Sequence, residues 1–145
     1  SVLHQTGPGK LGEAAAPRSS YRAVEYVEDV HTALAAATVA LVRGGASTLA
    51  EVGAMRVPCF VAPYPGHADR HQERNAEQLG SGARIVQDSE LNADVRDEIL
   101  SLAFESGASR RAAMRRELER NVPVDAALRA WREIMGVVRP GKPTA

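Results

Sequence analysis

The segment from Gly44 to Thr48 contains the residue types needed to hold a phosphate group. It reads Gly-Gly-Ala-Ser-Thr, after an apolar run at residues 39–42 and before a helix that we predict over residues 48–56. Glycines let the backbone approach a ligand closely, and the free N–H groups of a helix N-terminus attract phosphate. The hydroxyl groups of Ser47 and Thr48 can donate to phosphate oxygens. The segment is a candidate cradle for a diphosphate, although it matches neither Walker A nor the G-x-G-x-x-G motif.

The same segment also has a purely structural interpretation. Thr48 and Glu51 have the S/T-x-x-E spacing of a capping box, in which Thr48 would be the helix N-cap. Spacing alone favours capping over ligand binding. If a diphosphate does bind, the Glu51 carboxylate would be repelled by it and would instead suit the paired hydroxyl groups of a ribose.

A second polar cluster follows the apolar run at residues 59–62. Its donor and acceptor side chains, of the kind that sugar hydroxyls require, are Asp69, Arg70, His71 and Gln72. The structural alternative, which the sequence alone favours, is a solvated helix start with Asp69 as N-cap. His67 and His71 are four residues apart and suggest a metal pair, but no third ligand stands at a suitable spacing, so we expect no metal.

The end of an earlier predicted strand offers a third candidate contact. The backbone around Val27 could hydrogen-bond the edge of a base, although it could equally be a simple strand-to-helix junction. Arg43 is expected to extend to solvent or to pair with an acid near the strand end. The sequence shows neither a nucleophile with its base nor paired carboxylates, so no catalytic residue is assigned.

Composition narrows the class of protein. The 145 residues suffice for one domain with a core. Eighteen basic side chains balance 18 acidic ones and aromatic residues make up 4%, which argues against nucleic acid as a partner. The single cysteine, Cys59, lies in an apolar run, so we expect a buried thiol and no disulfide. With no apolar stretch of membrane-spanning length and no visible signal peptide, we expect a cytoplasmic protein.

Strands alternate with helices along the chain, which predicts an α/β fold with a Rossmann-like, doubly wound parallel sheet. Ligands of such sheets bind outside the carboxyl ends of the strands, where the polar clusters fall. We predict five strands, at residues 2–5, 21–27, 39–42, 59–62 and 83–87. The helices are predicted at residues 30–37, 48–56, 70–79, 93–105, 109–120 and 124–137.

Details of the helical C-terminus can also be predicted. Asn92 and Ser109 are candidate N-caps of two of its helices. Trp131 and Ile134 share one helix face and are expected to pack. Residues 139–145, rich in proline and glycine, are expected to form a disordered tail.

The run RGGASTLAEVGAMRVPCFVAPYPGHADRHQERNAEQL, residues 43–79, resembles the C-terminal half of the MurG family, which belongs to glycosyltransferase family 28. The specific part is a D-x-H/Q-Q-x-x-N-A motif that follows a G-A-x-T-x-x-E helix. The H-Q-x-G sequence at His4–Gly7 and the acidic segment at residues 25–29 extend the resemblance. It covers nearly the whole chain, to about Val137.

The resemblance implies a GT-B glycosyltransferase that transfers N-acetylglucosamine from its UDP donor to lipid I, forming lipid II for peptidoglycan. It makes residues 1–138 a partial UDP-sugar-binding domain, without a metal or another cofactor. By resemblance, the Val27 backbone would contact uracil and Glu51 would hold the ribose. The diphosphate and sugar would be lined by Ala46, Ser47 and Thr48, while Gln72, with His71 beside it, would contact the sugar hydroxyls.

The departures from the family pattern are large. The family's N-terminal domain, with its acceptor site, membrane-facing surface and catalytic base, has no counterpart here, and neither has the first βα unit of the C-terminal domain. We therefore expect an inactive fragment, or one half of a split enzyme that is peripheral on the cytoplasmic face of the membrane and meets lipid I through the missing domain. The alternatives are a non-catalytic nucleotide-sugar-binding module and a GT-B transferase with another acceptor.

Overall fold

The structure is a computed structural model that describes residues 1–16, 19–66 and 70–138. The chain divides into two units, Ser1–Ala37 (the first unit) and Thr38–Ala145 (the second unit). Among the described residues there are five strands, and every pair of hydrogen-bonded strands is parallel. The predicted parallel α/β architecture with five strands and a helical C-terminus is confirmed, with the strands divided between a two-stranded and a three-stranded sheet.

The first unit is one parallel strand pair followed by a short helix. Its elements are β1 (Val2–Gln5), a 3-10 turn (Gly12–Ala15), β2 (Tyr21–Val24) and α1 (Val30–Ala36). The Asp29 carboxylate caps α1 by accepting from the backbone N–H and the hydroxyl of Thr32. These hydrogen bonds stabilise the charged form and hold the pKa of Asp29 below its usual value.

The second unit is built on a three-stranded parallel sheet with β4 in the centre. Its strands and connecting helices are β3 (Ala40–Val42), α2 (Ala46–Ala54), β4 (Cys59–Val61), α3 (His71–Glu77) and β5 (Ala83–Ile85). All of β4 is buried, as expected of a parallel strand covered on both faces. Burial raises the pKa of the Cys59 thiol to about 12, so the predicted inert thiol is confirmed.

Three further helices follow the sheet: α4 (Ala93–Ala103), α5 (Ala108–Asn121) and α6 (Ala126–Val138). The core joins α4 and α5 to the sheet through Phe60, Val86, Val95, Leu102 and Met114. Asn92 caps α4 as predicted, since its side-chain oxygen accepts from the N–H groups of Asp94 and Val95. The prediction of Ser109 as an N-cap is wrong, because a 3-10 turn at Glu105–Gly107 continues directly into α5 and makes Ser109 its second residue.

Helix α6 has no buried residue. Trp131 and Ile134 are 59% and 55% exposed, so the expectation that they pack is wrong. Their spacing correctly puts them on one face, but none of the described elements buries that face. No helix in the described part of the chain is long and apolar enough to cross a membrane. The predicted tail, residues 139–145, lies outside the described residues.

Candidate functional site

The N-terminus of α2 presents backbone donors that the helix itself does not use. Its first backbone hydrogen bond runs from Leu49 N to Gly45 O, at 3.0 Å. The N–H groups of Ala46, Ser47 and Thr48 therefore have no acceptor within the helix. Gly45, the N-cap, offers no side chain to satisfy them. Three consecutive N–H groups at the positive end of a nine-residue helix form a suitable site for an anion.

The capping-box interpretation of this helix is wrong. Helix α2 begins at Ala46, two residues before the predicted start, so Thr48 is its third residue and cannot be its N-cap. The extended backbone of Gly45, with φ −67° and ψ 134°, takes the N-cap position instead. Within the described residues, the side chains of Ser47, Thr48 and Glu51 form no hydrogen bond or ion pair. Capping therefore does not account for these polar side chains.

Gln72 connects the loops that follow β3 and β4. Its side-chain oxygen accepts from Gly44 N at 3.2 Å and from Tyr64 N at 2.8 Å. Because both partners are N–H donors, the oxygen must be the end of the amide that faces them. The Nε2 amino group is then the part of the Gln72 side chain that can donate to a ligand.

Gly44 must lack a side chain for α3 to take this position. A Cβ on Gly44 would lie 2.4 Å from the backbone oxygen of Gln72 and 2.7 Å from its Cβ. On the other side of the same residue, Asn75 Nδ2 donates to Gly44 O at 3.1 Å. Helix α3 is thus attached directly to the loop that leads into α2.

Arg43 further links the carboxyl ends of the strands. One guanidinium nitrogen, Nη1, donates to Ala62 O at 3.1 Å and also pairs with the Asp88 carboxylate. The expectation that Arg43 pairs with an acid is confirmed. Both side chains are substantially exposed, so the pair contributes less than about 1 kcal/mol to stability. Its main effect is to connect the segments after β3, β4 and β5.

The backbone is unusual where α3 begins. Arg70, the N-cap of α3, has a φ of +50°, in the left-handed region that few non-glycine residues adopt. Its guanidinium hydrogen-bonds Glu73 at 2.6 Å, which raises the pKa of Arg70. His71 is the first residue of the helix and is half-buried. The sequence also suggested Asp69 as the N-cap and a metal pair of His67 with His71. Asp69 and His67 lie outside the described part of the chain.

Val27 follows β2 in the first unit, and its backbone N–H is already engaged. It donates to the side-chain oxygen of Gln5 at 2.9 Å. Only the Val27 carbonyl is therefore left for a base. Nearby, Glu25 accepts from Gly9 N at 2.9 Å. These two bonds give the H-Q-x-G segment and the acidic segment a structural role that sequence reasoning missed.

An open surface cavity of about 600 Å³ in the second unit contains none of the predicted site residues. Arg84 and Arg110 on its wall share one carboxylate, that of Glu98, which offsets part of their positive charge. An anion at this cavity would have to compete with Glu98 for both guanidinium groups. The N-terminus of α2 is therefore the better candidate for an anion site.

The predicted site residues divide between the two units. Val27 belongs to the first unit, and the second contains Ala46, Ser47, Thr48, Glu51, His71 and Gln72. Sequence reasoning missed Asn75, although its three-residue spacing from Gln72 on a helix places both on one face. Helix α2 and the attached start of α3 can together bind a phosphate and donate to neighbouring hydroxyls.

Comparison with known proteins identifies the family of this chain. The model of the glycosyltransferase family 28 C-terminal domain matches residues 1–127. A relative from Sorangium cellulosum is 37% identical over 95% of this chain, and one from Desulfotalea psychrophila is 32% identical over 88%. Both are named UDP-N-acetylglucosamine–N-acetylmuramyl-(pentapeptide) pyrophosphoryl-undecaprenol N-acetylglucosamine transferase. The chain covers 36% of the length of each.

Solved structures agree with the fold. MurG from Acinetobacter baumannii superposes with a TM-score of 0.74 at 22% identity, covering 92% of this chain and 40% of that protein. The glycotransferase of kitacinnamycin gives a TM-score of 0.64 at 26% identity, covering 90% of this chain and 34% of that protein. Because the family match covers residues 1–127, the chain belongs to the family of glycosyltransferase family 28 C-terminal domains.

Proposed function

We propose that this chain is the UDP-N-acetylglucosamine-binding part of a glycosyltransferase that adds N-acetylglucosamine to lipid I to form lipid II. The observation that carries the proposal is the set of unsatisfied N–H groups at the start of α2, next to the Gln72 side chain that is fixed on Gly44. The names of the relatives at 37% and 32% identity specify the donor sugar and the acceptor.

The diphosphate of the donor would bind at the N-terminus of α2. The N–H groups of Ala46, Ser47 and Thr48 supply donors, and the helix dipole adds a favourable field. The hydroxyl groups of Ser47 and Thr48 have no hydrogen bond to another described residue, so they remain available for phosphate oxygens. The Gly45 backbone, without a side chain, allows a close approach.

Two side chains would recognise the sugars on either side of the diphosphate. Glu51 lies one turn into α2 and is half-exposed, and its carboxylate can accept from both hydroxyl groups of the ribose. Gln72 would donate from Nε2 to a hydroxyl of the N-acetylglucosamine, because its oxygen is held by Gly44 and Tyr64. His71 precedes it on α3 and would lie beside the same sugar.

The uracil would be read by the backbone at Val27. Since the Val27 N–H is bound to Gln5, the carbonyl oxygen is the group that can accept from the N3–H of the base. This contact distinguishes a uracil from a cytosine, which has no hydrogen at that nitrogen.

In the complete enzyme, a hydroxyl group of lipid I would attack C1 of the donor sugar with inversion, and UDP would leave. The new C–O bond forms as the bond from C1 to the diphosphate oxygen breaks, and the hydroxyl proton passes to a base outside this chain. The N-terminus of α2 would stabilise the negative charge that develops on the leaving diphosphate. This arrangement requires no metal. The enzyme would act as a peripheral protein on the cytoplasmic face of the membrane.

Binding can be measured on the 145-residue chain by following its backbone amide NMR signals during titration with nucleotides. We expect UDP and UDP-N-acetylglucosamine to shift the signals of residues 46–48, with weak affinity. We expect UDP-glucose to bind less well than UDP-N-acetylglucosamine. A UDP-N-acetylglucosamine titration to millimolar concentration that leaves these signals unchanged would contradict the proposal.

Transfer activity requires the rest of the enzyme, and the Sorangium cellulosum relative can supply it. A chimera in which this chain replaces the matching region of that relative should convert lipid I to lipid II. The 145-residue chain alone should show no turnover. A folded chimera that binds the donor but never uses lipid I would refute the acceptor assignment.

A transferase with a different acceptor is the second candidate. The likeness to the glycotransferase of kitacinnamycin, at 26% identity and a TM-score of 0.64, favours it. The two candidates share the donor site and differ in the acceptor, so the donor titration cannot separate them. The chimera assay can, by comparing lipid I with a small-molecule acceptor.

A further inference from the structure

Helix α3 holds the Gly44 residue by both of its backbone polar groups. The Gly44 N–H donates to Gln72 Oε1 at 3.2 Å, and the Gly44 carbonyl accepts from Asn75 Nδ2 at 3.1 Å. Gln72 and Asn75 are one turn apart on α3, so a single helix face supplies both bonds. The function proposed above assigns a role to Gln72 and none to Asn75.

These two hydrogen bonds are partly shielded from water. Gly44 is buried, and the side chains of Gln72 and Asn75 are half-buried. Hydrogen bonds in such surroundings constrain geometry more strongly than exposed ones, because water does not compete for the donor or acceptor. The close contact between Gly44 and the Gln72 backbone further restricts the backbone conformation of Gly44.

Gly44 lies one residue before Gly45, the N-cap of α2. Two adjacent glycines have more backbone freedom than any other pair, and ordering them costs conformational entropy. If Gly44 is already fixed, the N–H groups that follow it point in one direction before any ligand arrives. Preorganisation of this kind improves affinity without a new contact to the ligand.

We propose that Asn75 is a positioning residue for the diphosphate of the donor. Its side-chain N–H fixes the Gly44 carbonyl, and through Gly44 it sets the direction of the N–H groups of residues 46–48. Asn75 does not touch the ligand. This inference rests on the proposed nucleotide-sugar site and adds to it a residue that acts through the backbone.

Three variants of the 145-residue chain separate this role from simple packing. Asn75→Asp keeps the shape of the side chain but places an oxygen against the Gly44 carbonyl. Asn75→Ala removes the hydrogen bond without this repulsion. Gln78→Ala, at an exposed position at the end of the same helix, is the matched control.

The first measurement needs no ligand. In amide NMR spectra, Asn75→Ala and Asn75→Asp should shift the signals of residues 44–48, and in hydrogen exchange they should speed the exchange of the Gly44 N–H, which is bonded to Gln72. Gln78→Ala should leave them as in the parent chain. If the Asn75 variants fold and residues 44–48 keep their parental signals and exchange rates, the proposal is overturned whether or not a nucleotide binds.

The second measurement compares UDP with UDP-N-acetylglucosamine. Loss of one hydrogen bond should weaken both by roughly fivefold for Asn75→Ala, since the diphosphate is common to both ligands. Asn75→Asp should weaken both at least as much, whereas a packing role would make it the milder change. Unchanged dissociation constants in both Asn75 variants, with binding by the parent chain, would overturn the positioning role and leave the nucleotide site standing. Absence of binding by the parent chain would refute the site itself.

Discussion

The backbone of Gln72 occupies the space where a side chain on Gly44 would lie, with its carbonyl oxygen 2.4 Å from the position of a Gly44 Cβ. We therefore expect Gly44→Ala to destabilise the chain by about 1–3 kcal/mol, because backbone atoms must move to make room. Urea unfolding followed by circular dichroism measures this change in the free energy of unfolding. The same variant should bind UDP more weakly, since α3 can no longer hold the loop in place.

Gly45→Ala is the matched control for that substitution. A Cβ on Gly45 would meet only the Thr48 hydroxyl, at 3.9 Å, and the backbone there is extended. Loss of a good N-cap and the gain in backbone stiffness oppose each other, so the change should stay below about 1 kcal/mol. Equal destabilisation by the two variants would show that close approach at Gly44 is not the reason for the glycine.

Gln72→Glu should separate the structural role of this side chain from its role in sugar binding. A carboxylate oxygen can still accept from Gly44 N and Tyr64 N, but the second oxygen cannot donate to a sugar hydroxyl. We expect near-normal stability and loss of the advantage of UDP-N-acetylglucosamine over UDP in calorimetric titration. Gln72→Ala should instead cost about 1–3 kcal/mol of stability, because two backbone N–H groups lose their acceptor. A Gln72→Glu variant with unchanged sugar preference would exclude Nε2 as the sugar contact.

Glu51→Gln should affect recognition of the ribose and leave the fold intact. Glu51 forms no hydrogen bond or ion pair with another described residue, so its charge is not needed for stability. Hydrogen bonds to a charged group contribute about 1.5–3 kcal/mol, which predicts roughly tenfold weaker binding of UDP. The parent chain should prefer UDP over 2′-deoxy-UDP, and the variant should not. Retention of this preference by Glu51→Gln would place the ribose elsewhere.

Cys59 should make stability depend on alkaline pH. Its pKa is raised by burial from the ordinary value of 9.0 to about 12, so the unfolded chain loses this proton first. Stability is therefore unaffected below pH 9 and falls as the pH rises from about 9 to about 12, by up to about 1.4 kcal/mol per pH unit. Urea unfolding at pH 8 and pH 10.5, with Cys59→Ala as reference, isolates this contribution from other titrating groups. Ellman's reagent at pH 8 should react slowly with the folded chain and rapidly in urea.

The fluorescence of Trp131, the single tryptophan, should show that its side chain is open to solvent in the isolated chain. It is 59% exposed, so its fluorescence should be readily quenched by acrylamide and Trp131→Ala should change stability by less than about 0.5 kcal/mol. Phe60→Ala is the contrasting variant, because Phe60 is fully buried and its loss should cost about 3–5 kcal/mol. A strongly protected Trp131 would indicate that the apolar face of α6 is covered in solution.

Sequence patterns predicted the elements well because each depends on neighbouring residues. The apolar run at Cys59–Val61 between turn-forming residues is enough to specify β4, and Asn92 is enough to specify the start of α4. The start of α2 was misplaced because Thr48 and Glu51 satisfy a capping rule that the backbone of Gly45 makes unnecessary. Local patterns do not contain this information.

The features that the sequence could not predict are contacts between residues far apart in the chain. The bond from Asn75 to Gly44 joins residues 31 positions apart, and the bond from Val27 to Gln5 joins residues 22 apart. Neither pair follows a helical or strand period. Exposure of Trp131 has a similar origin, since periodicity defines a helix face and tertiary packing decides whether it is covered.

The shared oxygen of Gln72 limits how this protein can change its donor. A substitution at this position that selects a new sugar would also release the loops after β3 and β4, unless the replacement keeps an acceptor at the same place. Directed evolution toward other nucleotide sugars should therefore retain glutamine or glutamate at position 72. Substitutions that change the sugar preference would appear first at His71, because the adjacent Gln72 keeps its hydrogen bonds to Gly44 and Tyr64.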